Sequence, residues 1–205
     1  MRILARHENP QAACRPFDAD RCGIVLAEGA AMLMVESEQD AISRGAEILG
    51  VIEGYGATSD AHHITAPSKQ GQLMAMNRCL QDAGVAPQDV DYVNAHGTGT
   101  ELNDQIEAES VAEMFGQRKD PLPLTSTKSA LGHTLGASGA LELVALIYAI
   151  RHDFVPPTLN CENPSPDVGL TYVPNQGEHR PITLGMSNSF AFGGNNAVLM
   201  IRGYD

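Results

Sequence analysis

Residues 123–150, PLTSTKSALGHTLGASGALELVALIYAI, decide how this chain is organised. The stretch opens as a short strand, passes through a polar turn and continues as a long helix. Lys128 and His133 lie five positions apart in the turn. Behind them Leu135, Leu141, Leu143, Val144, Leu146, Ile147 and Ile150 make the helix apolar on almost every face, the pattern of a helix buried in a large core. Glu142 interrupts that run, and a carboxylate is costly to bury unless it is paired. A lysine, a histidine and a buried glutamate around one strand-to-helix turn describe a site rather than a surface. The turn is therefore expected to meet two further loops, one carrying His96 and one carrying Phe190.

Working outward, the order from Ala46 reads β-α-β-α-β-α-β-β. Strands are expected over 48–57, 90–95, 123–127, 182–187 and 197–202, with helices over 69–83 and 102–115 and then from the turn to Arg151. Asn103 or Asp104 should cap the second helix, and Gly116 should end it. Thr171–Val173 reads as a short edge strand. Alternating strands and helices imply a mostly parallel sheet covered by helices, with functional loops at the carboxyl ends of its strands. Upstream, Cys22–Val35 reads as a hairpin and Ser37–Arg44 as a short helix. These belong to a leading segment, residues 1–45, distinct from a domain over 46–205.

Composition narrows the class. A 205-residue chain with 43% hydrophobic and 19% charged residues fits an α/β domain with a sizeable core. A net charge of −12 disfavours nucleic acid and anionic membrane as partners, since both select clustered Lys and Arg. An acidic protein partner would need a local basic patch, for which Arg2 with Arg6, or Arg15 with Arg21, are candidates beside the plainer reading of a solvated surface. Cys14, Cys22, Cys79 and Cys161 have no paired spacing and read as reduced thiols of a cytoplasmic protein. The opening MRILARHENP has no apolar signal region, and the run from Gly139 to Ile150 is too short to span a bilayer.

Three loops carry the chemistry. In His96-Gly-Thr-Gly-Thr100 the glycines permit close backbone approach by a ligand, and the run lacks the spacing of a phosphate loop. In Lys128-Ser-Ala-Leu-Gly-His133 a fixed positive charge precedes a histidine that, if neutral, can donate a hydrogen bond to a developing oxyanion. Gly132, Gly136 and Gly139 do not form a dinucleotide fingerprint. In Ser187-Asn-Ser-Phe-Ala-Phe-Gly-Gly-Asn195 two phenylalanines on a glycine-rich turn can gate an apolar tunnel. His7, His62 and His63 lack partners at ligand spacing and read as surface residues.

Taken in order, Asn94-Ala-His-Gly-Thr-Gly-Thr100, Ser126-Thr-Lys-Ser-Ala-Leu-Gly-His133 and Asn188-Ser-Phe-Ala-Phe-Gly-Gly194 resemble the elongating β-ketoacyl-acyl carrier protein synthases. Arg15-Pro-Phe-Asp18 and Glu28-Gly-Ala30 extend the resemblance over essentially the whole chain. The resemblance implies a thiolase-like fold, here one βαβαβαββ half with the tail of the preceding half. It implies decarboxylative Claisen condensation of an acyl thioester with malonyl-acyl carrier protein in fatty acid, polyene or polyketide synthesis. It assigns His96 and His133 to the malonyl thioester carbonyl, with Lys128 supporting them. Glu142 and Asp104 join their network, Phe190 and Phe192 the acyl gate, and Thr98 and Thr100 the pantetheine arm. It further implies a structural cation near Asn94, Glu142, Ser187 and Asn188. No cofactor is required beyond the phosphopantetheine on the carrier protein.

The family's nucleophile is a cysteine in a Thr-Ala-Cys-Ser type turn, and this chain has no such turn. Met1-Arg2 aligns with an interior position, so the chain is expected to be a carboxyl-terminal half, inactive alone because a covalent acyl intermediate needs a thiolate. Expected partners are acyl carrier protein and an amino-terminal half or homologous subunit, in an oligomer. The alternative is a non-catalytic, chain-length-factor-like partner. Cys22 and Ala27 depart from the acidic residue and glycine usual at those positions.

Overall fold

The computed structural model describes residues 3–116 and 118–204. Arg2, half of one suggested basic pair, lies outside them. Chain order is α1 (Glu38–Ser43), β1 (Val51–Ser59), α2 (Lys69–Ala83), β2 (Tyr92–Asn94), α3 (Glu101–Phe115), β3 (Leu124–Thr125), α4 (Lys128–Leu131), α5 (Ser138–Arg151), β4 (Phe154–Val155), β5 (Glu178–His179), β6 (Leu184–Ala191) and β7 (Asn195–Arg202). The main sheet has five strands in the order β1-β7-β6-β2-β3. β6-β2 and β2-β3 pair in parallel, while β7 runs antiparallel to both β1 and β6. The expected mixed α/β sheet is therefore present. A separate two-stranded pairing, β4-β5, was not expected from the sequence.

The period-2 geometry of strands divides the core into two layers. Val93, Met186, Phe190, Val198 and Met200 face α2 and α3, packing with Ala75, Met76, Cys79, Ala108 and Val111. On the other face Tyr92 and Ile201 pack with Leu143, Leu146, Ala149 and Ile150 of α5. α2 lies close on β1 because Gly56 has no side chain; a Cβ there would stand 2.0 Å from the Ala75 carbonyl. α2 begins where Ser68 Oγ accepts the Gly71 N–H, a cap of about 1 kcal/mol.

Several expectations need correction. α5 is buried on one side only: Tyr148 is 60% exposed and Leu141, Val144 and Ile147 are half-buried, while Leu135, 62% exposed, falls in the turn before the helix. α3 is not capped by Asn103 or Asp104; Thr100 occupies the N-cap without a side-chain bond. Gly116 does end the helix as expected, in a right-handed rather than a left-handed conformation (φ −68°). Residues 22–35 form no hairpin. Ile24 and Leu26 make single bridges to Leu4 and His133, and the following residues, up to α1, belong to no strand or helix, with Met32 98% and Met34 85% exposed. Their composition suits a strand, but a strand needs a neighbour to satisfy its backbone groups. Thr171 makes one bridge, to Pro123, rather than an edge strand. Arg15 is paired with Asp18 at 3.1 Å, while Arg21 donates to the carbonyls of Asp18, Thr100 and Glu101, which fix its position without offsetting its charge.

Candidate active site

His96 follows β2, and Lys128 and His133 follow β3, so two parallel neighbours deliver three groups to one end of the sheet. The His96 loop is pinned from below by α3. Glu107 accepts from the N–H groups of His96 and Gly97, both at 2.8 Å. Asp104 accepts from Thr98 (3.0 Å) and Gly99 (3.0 Å), and also from Phe17 (3.0 Å). Two carboxylates one helical turn apart thus satisfy four successive backbone donors. Gly97 (φ 36°) and Gly99 (φ 77°) supply the left-handed backbone that this close turn requires, and a Cβ on Gly97 would stand 2.6 Å from Ser126. Burial pushes Glu107 up to about 7 and Asp104 also upward, partly offset by these hydrogen bonds.

The second loop is clamped from the leading segment. The His133 N–H donates to the Val25 carbonyl (2.8 Å), and Ala27 N–H donates to the His133 carbonyl (3.1 Å). The Leu135 N–H donates to His133 Nδ1 at 3.1 Å. A neutral imidazole whose Nδ1 accepts carries its proton on Nε2. Burial first, and then the Lys128 charge, lower His133 to about 4. His96 is lowered well below its ordinary value by burial, then by Lys128 and His133. Lys128 Nζ approaches His96 Nδ1 at 3.4 Å, which gives His96 the same Nε2–H form. The two rings lie edge to face, 5.5 Å between centroids. Both therefore reach a shared cleft as neutral donors.

Lys128 and Glu142, each 2% exposed, form a buried ion pair. The paired partner that Glu142 demanded in the sequence is thus present. Asp104 stands apart from this pair and supports the His96 loop through the Thr98 and Gly99 N–H groups.

The cleft is about 840 Å³, and His96, His133, Thr98, Thr100, Phe190 and Phe192 all line it. Phe190 is 5% exposed and meets His96 at 6.3 Å between centroids, whereas Phe192 is 55% exposed at the rim. Phe190 and Asn188 lie on β6 rather than in the glycine turn, because the strand stays paired with β7 as far as Ala191. Thr98 and Thr100 hydroxyls stand 2.9 Å apart on the wall.

The expected cation set divides across the sheet. Asn94 and Ser187 are register partners, and Asn94 Nδ2 donates to the Glu142 carbonyl on the α5 face. Asn188, one residue on from Ser187, turns to the other face and donates to Glu107. Glu142 Oε2 is buried without a hydrogen-bond partner. Asn94, Ser187 and Glu142 offer oxygen donors of the kind hard cations take, and the Asn188 side chain leaves the set. Glu107 was missed in the sequence: it sits in an ordinary helical stretch, and its spacing of three from Asp104 is the one signal available.

Residues 49–162 match the family model for the β-ketoacyl synthase, C-terminal domain. The chain belongs to this family. It is 48% identical over 189 residues to nodulation protein E of Rhizobium meliloti, covering 92% of the chain and 47% of that protein. It is 44% identical over 201 residues to 3-oxoacyl-[acyl-carrier-protein] synthase 2 of Synechocystis sp., covering 97% and 48%. Among solved structures it is similar to the ishigamide ketosynthase/chain length factor, with a TM-score of 0.92, 40% identity, and 98% and 49% coverage. It is also similar to a type II polyketide synthase acyl-carrier protein in complex with its ketosynthase, with a TM-score of 0.93, 36% identity, and 100% and 51% coverage. The β-ketoacyl synthase chain is thus thiolase-like, and spans about half the length of the curated relatives it matches.

Proposed function

We propose that this chain is the carboxyl-terminal part of a 3-oxoacyl-acyl carrier protein synthase, an acyltransferase that joins an acyl thioester to malonyl-acyl carrier protein. The observation that carries this reading is that the His96 and His133 rings line one cleft, 5.5 Å between centroids, with each Nδ1 engaged so that Nε2 is the nitrogen left to donate. A malonyl thioester oxygen accepts both N–H bonds. As the bond to the malonyl carboxylate breaks, carbon dioxide leaves and the electron pair moves onto that oxygen, where two preorganised donors stabilise it. The enolate carbon then attacks the acyl thioester carbonyl and expels the sulfur that carried it. Burial first, and then the Lys128 charge, keeps both rings neutral, since a desolvated site and a positive neighbour both disfavour the imidazolium, and Glu142 balances the Lys128 charge. Phe190, with Phe192 outside it, is the door to the acyl chamber, and Thr98 and Thr100 hold the pantetheine arm. Asn94, Ser187 and Glu142 would hold a structural cation that neutralises the Glu142 oxygen left over by Lys128. No other cofactor is invoked.

The acyl nucleophile comes from an amino-terminal half, with residues 1–45 as its tail. Among the described residues Cys22 is the one cysteine that lines the cleft, and its sulfur faces the Ala13 carbonyl at 3.9 Å. Acyl carrier protein is the other partner, and the setting is cytoplasmic. No helix among the described residues is long and apolar enough to cross a membrane. The test is to co-express the chain with a family amino-terminal half and assay condensation of an acyl and a malonyl thioester. Condensing activity in a stable complex is expected. A stable complex that neither condenses nor releases carbon dioxide would favour the chain-length-factor-like reading; absence of both complex and activity would overturn the proposal.

A further inference from the structure

We propose that Cys14 and Cys22 form a dithiol modification site in the cleft wall, which peroxide closes to a disulfide. The two sulfurs come from one folded-back loop. Asp18 N–H donates to the Arg15 carbonyl (3.4 Å) and Arg21 N–H to the Asp18 carbonyl (3.2 Å), so the seven intervening residues return the chain on itself. Cys22 Sγ stands 3.9 Å from the carbonyl of Ala13, the residue next to Cys14. The two thiols differ in access. Cys22 is half-buried and lines the cleft, where a small solute reaches it. Cys14 is buried, and its thiol donates to the Lys128 carbonyl at 3.0 Å. Burial first and then Asp104 raise the Cys14 thiol to about 11, with Cys22 adding to the rise and Lys128 opposing it.

These differences order the steps. Cys22 meets the oxidant first: its sulfur attacks a peroxide oxygen, the O–O bond breaks, and the products are a sulfenic acid and water. The Cys14 sulfur then displaces the sulfenic oxygen as a second water, forming the S–S bond. Two thiols lose two protons and two electrons, and hydrogen peroxide is reduced to two waters. The proton that Cys14 donated to Lys128 is consumed, so the backbone of the residue bearing the site's ammonium loses a hydrogen bond. Cys79 and Cys161, both fully buried elsewhere, are outside the pair.

Treatment of the full chain with hydrogen peroxide, followed by alkylation and mass spectrometry, tests this without reference to activity. The expected product has lost about 2 Da and shows a trypsin-resistant link between the peptides on either side of Arg21, reversed by dithiothreitol. Cys22→Ser should abolish the link and leave Cys14 alkylatable, and Cys14→Ser should let Cys22 run on to the sulfinic acid. A link to Cys79 or Cys161, or sulfinic acid on Cys22 with Cys14 free in the unsubstituted chain, would overturn the proposal. Circular dichroism of each variant separates these outcomes from misfolding.

Discussion

Glu107→Gln tests the foundation under His96. The carboxylate is fully buried and accepts from His96 N–H, Gly97 N–H and Asn188 Nδ2. Glutamine keeps the shape but turns one acceptor oxygen into a donor, so one loop N–H faces another N–H. An unsatisfied buried donor costs about 1–3 kcal/mol. The wild-type carboxyl has its own cost, because burial raises it from 4.5 to about 7. A carboxyl raised on folding gives stability that is complete below its unfolded value and is lost as pH rises through the folded one. Over that window the loss is about 3 kcal/mol, of which about 2 kcal/mol falls between pH 5.5 and 8. Glutamine does not titrate. Urea unfolding at both pH values should therefore show Glu107→Gln less stable than wild type at pH 5.5, with the difference shrinking or reversing at pH 8. A difference that is the same at both pH values would refute the reasoning.

Other consequences follow from the same contacts. Lys128→Met leaves Glu142 as an uncompensated buried charge and should cost about 3–5 kcal/mol, whereas Lys128→Met with Glu142→Gln should recover much of that loss in a denaturant double-mutant cycle. His133, lowered to about 4, should keep nitrogen chemical shifts of a neutral Nε2–H ring from pH 8 to 5.5 by NMR, while a histidine peptide titrates across that range. Met32 and Met34 stand almost fully exposed on a stretch outside any strand or helix, so the chain should self-associate in light scattering, and Met32→Lys with Met34→Lys should reduce this.

Much of this was legible in the sequence where order is local. α2 spans the residues 69–83 that the sequence indicated, because a helix satisfies its own backbone and needs only one apolar face. The three loops were legible because histidine, lysine and glycine leave compositional marks at strand ends. What failed was non-local. Residues 22–35 carry strand composition, but pairing depends on a neighbour the pattern cannot supply. The one-sided exposure of α5 has the same origin, since an apolar helix reads alike whether its cover is this chain or another. Glu107 escaped because its work is done on backbone N–H groups ten and eleven residues earlier, which no side-chain motif records.

The most direct test of the account is carbon dioxide release from malonyl-acyl carrier protein by the chain joined to an amino-terminal half, with unsubstituted, His96→Ala and His133→Ala forms compared at pH 7. Two donors sharing one developing oxyanion predict that either substitution slows release by about 100-fold or more while the complex stays assembled. Release at the unsubstituted rate by either variant would contradict the claim that both imidazoles hold the same oxygen.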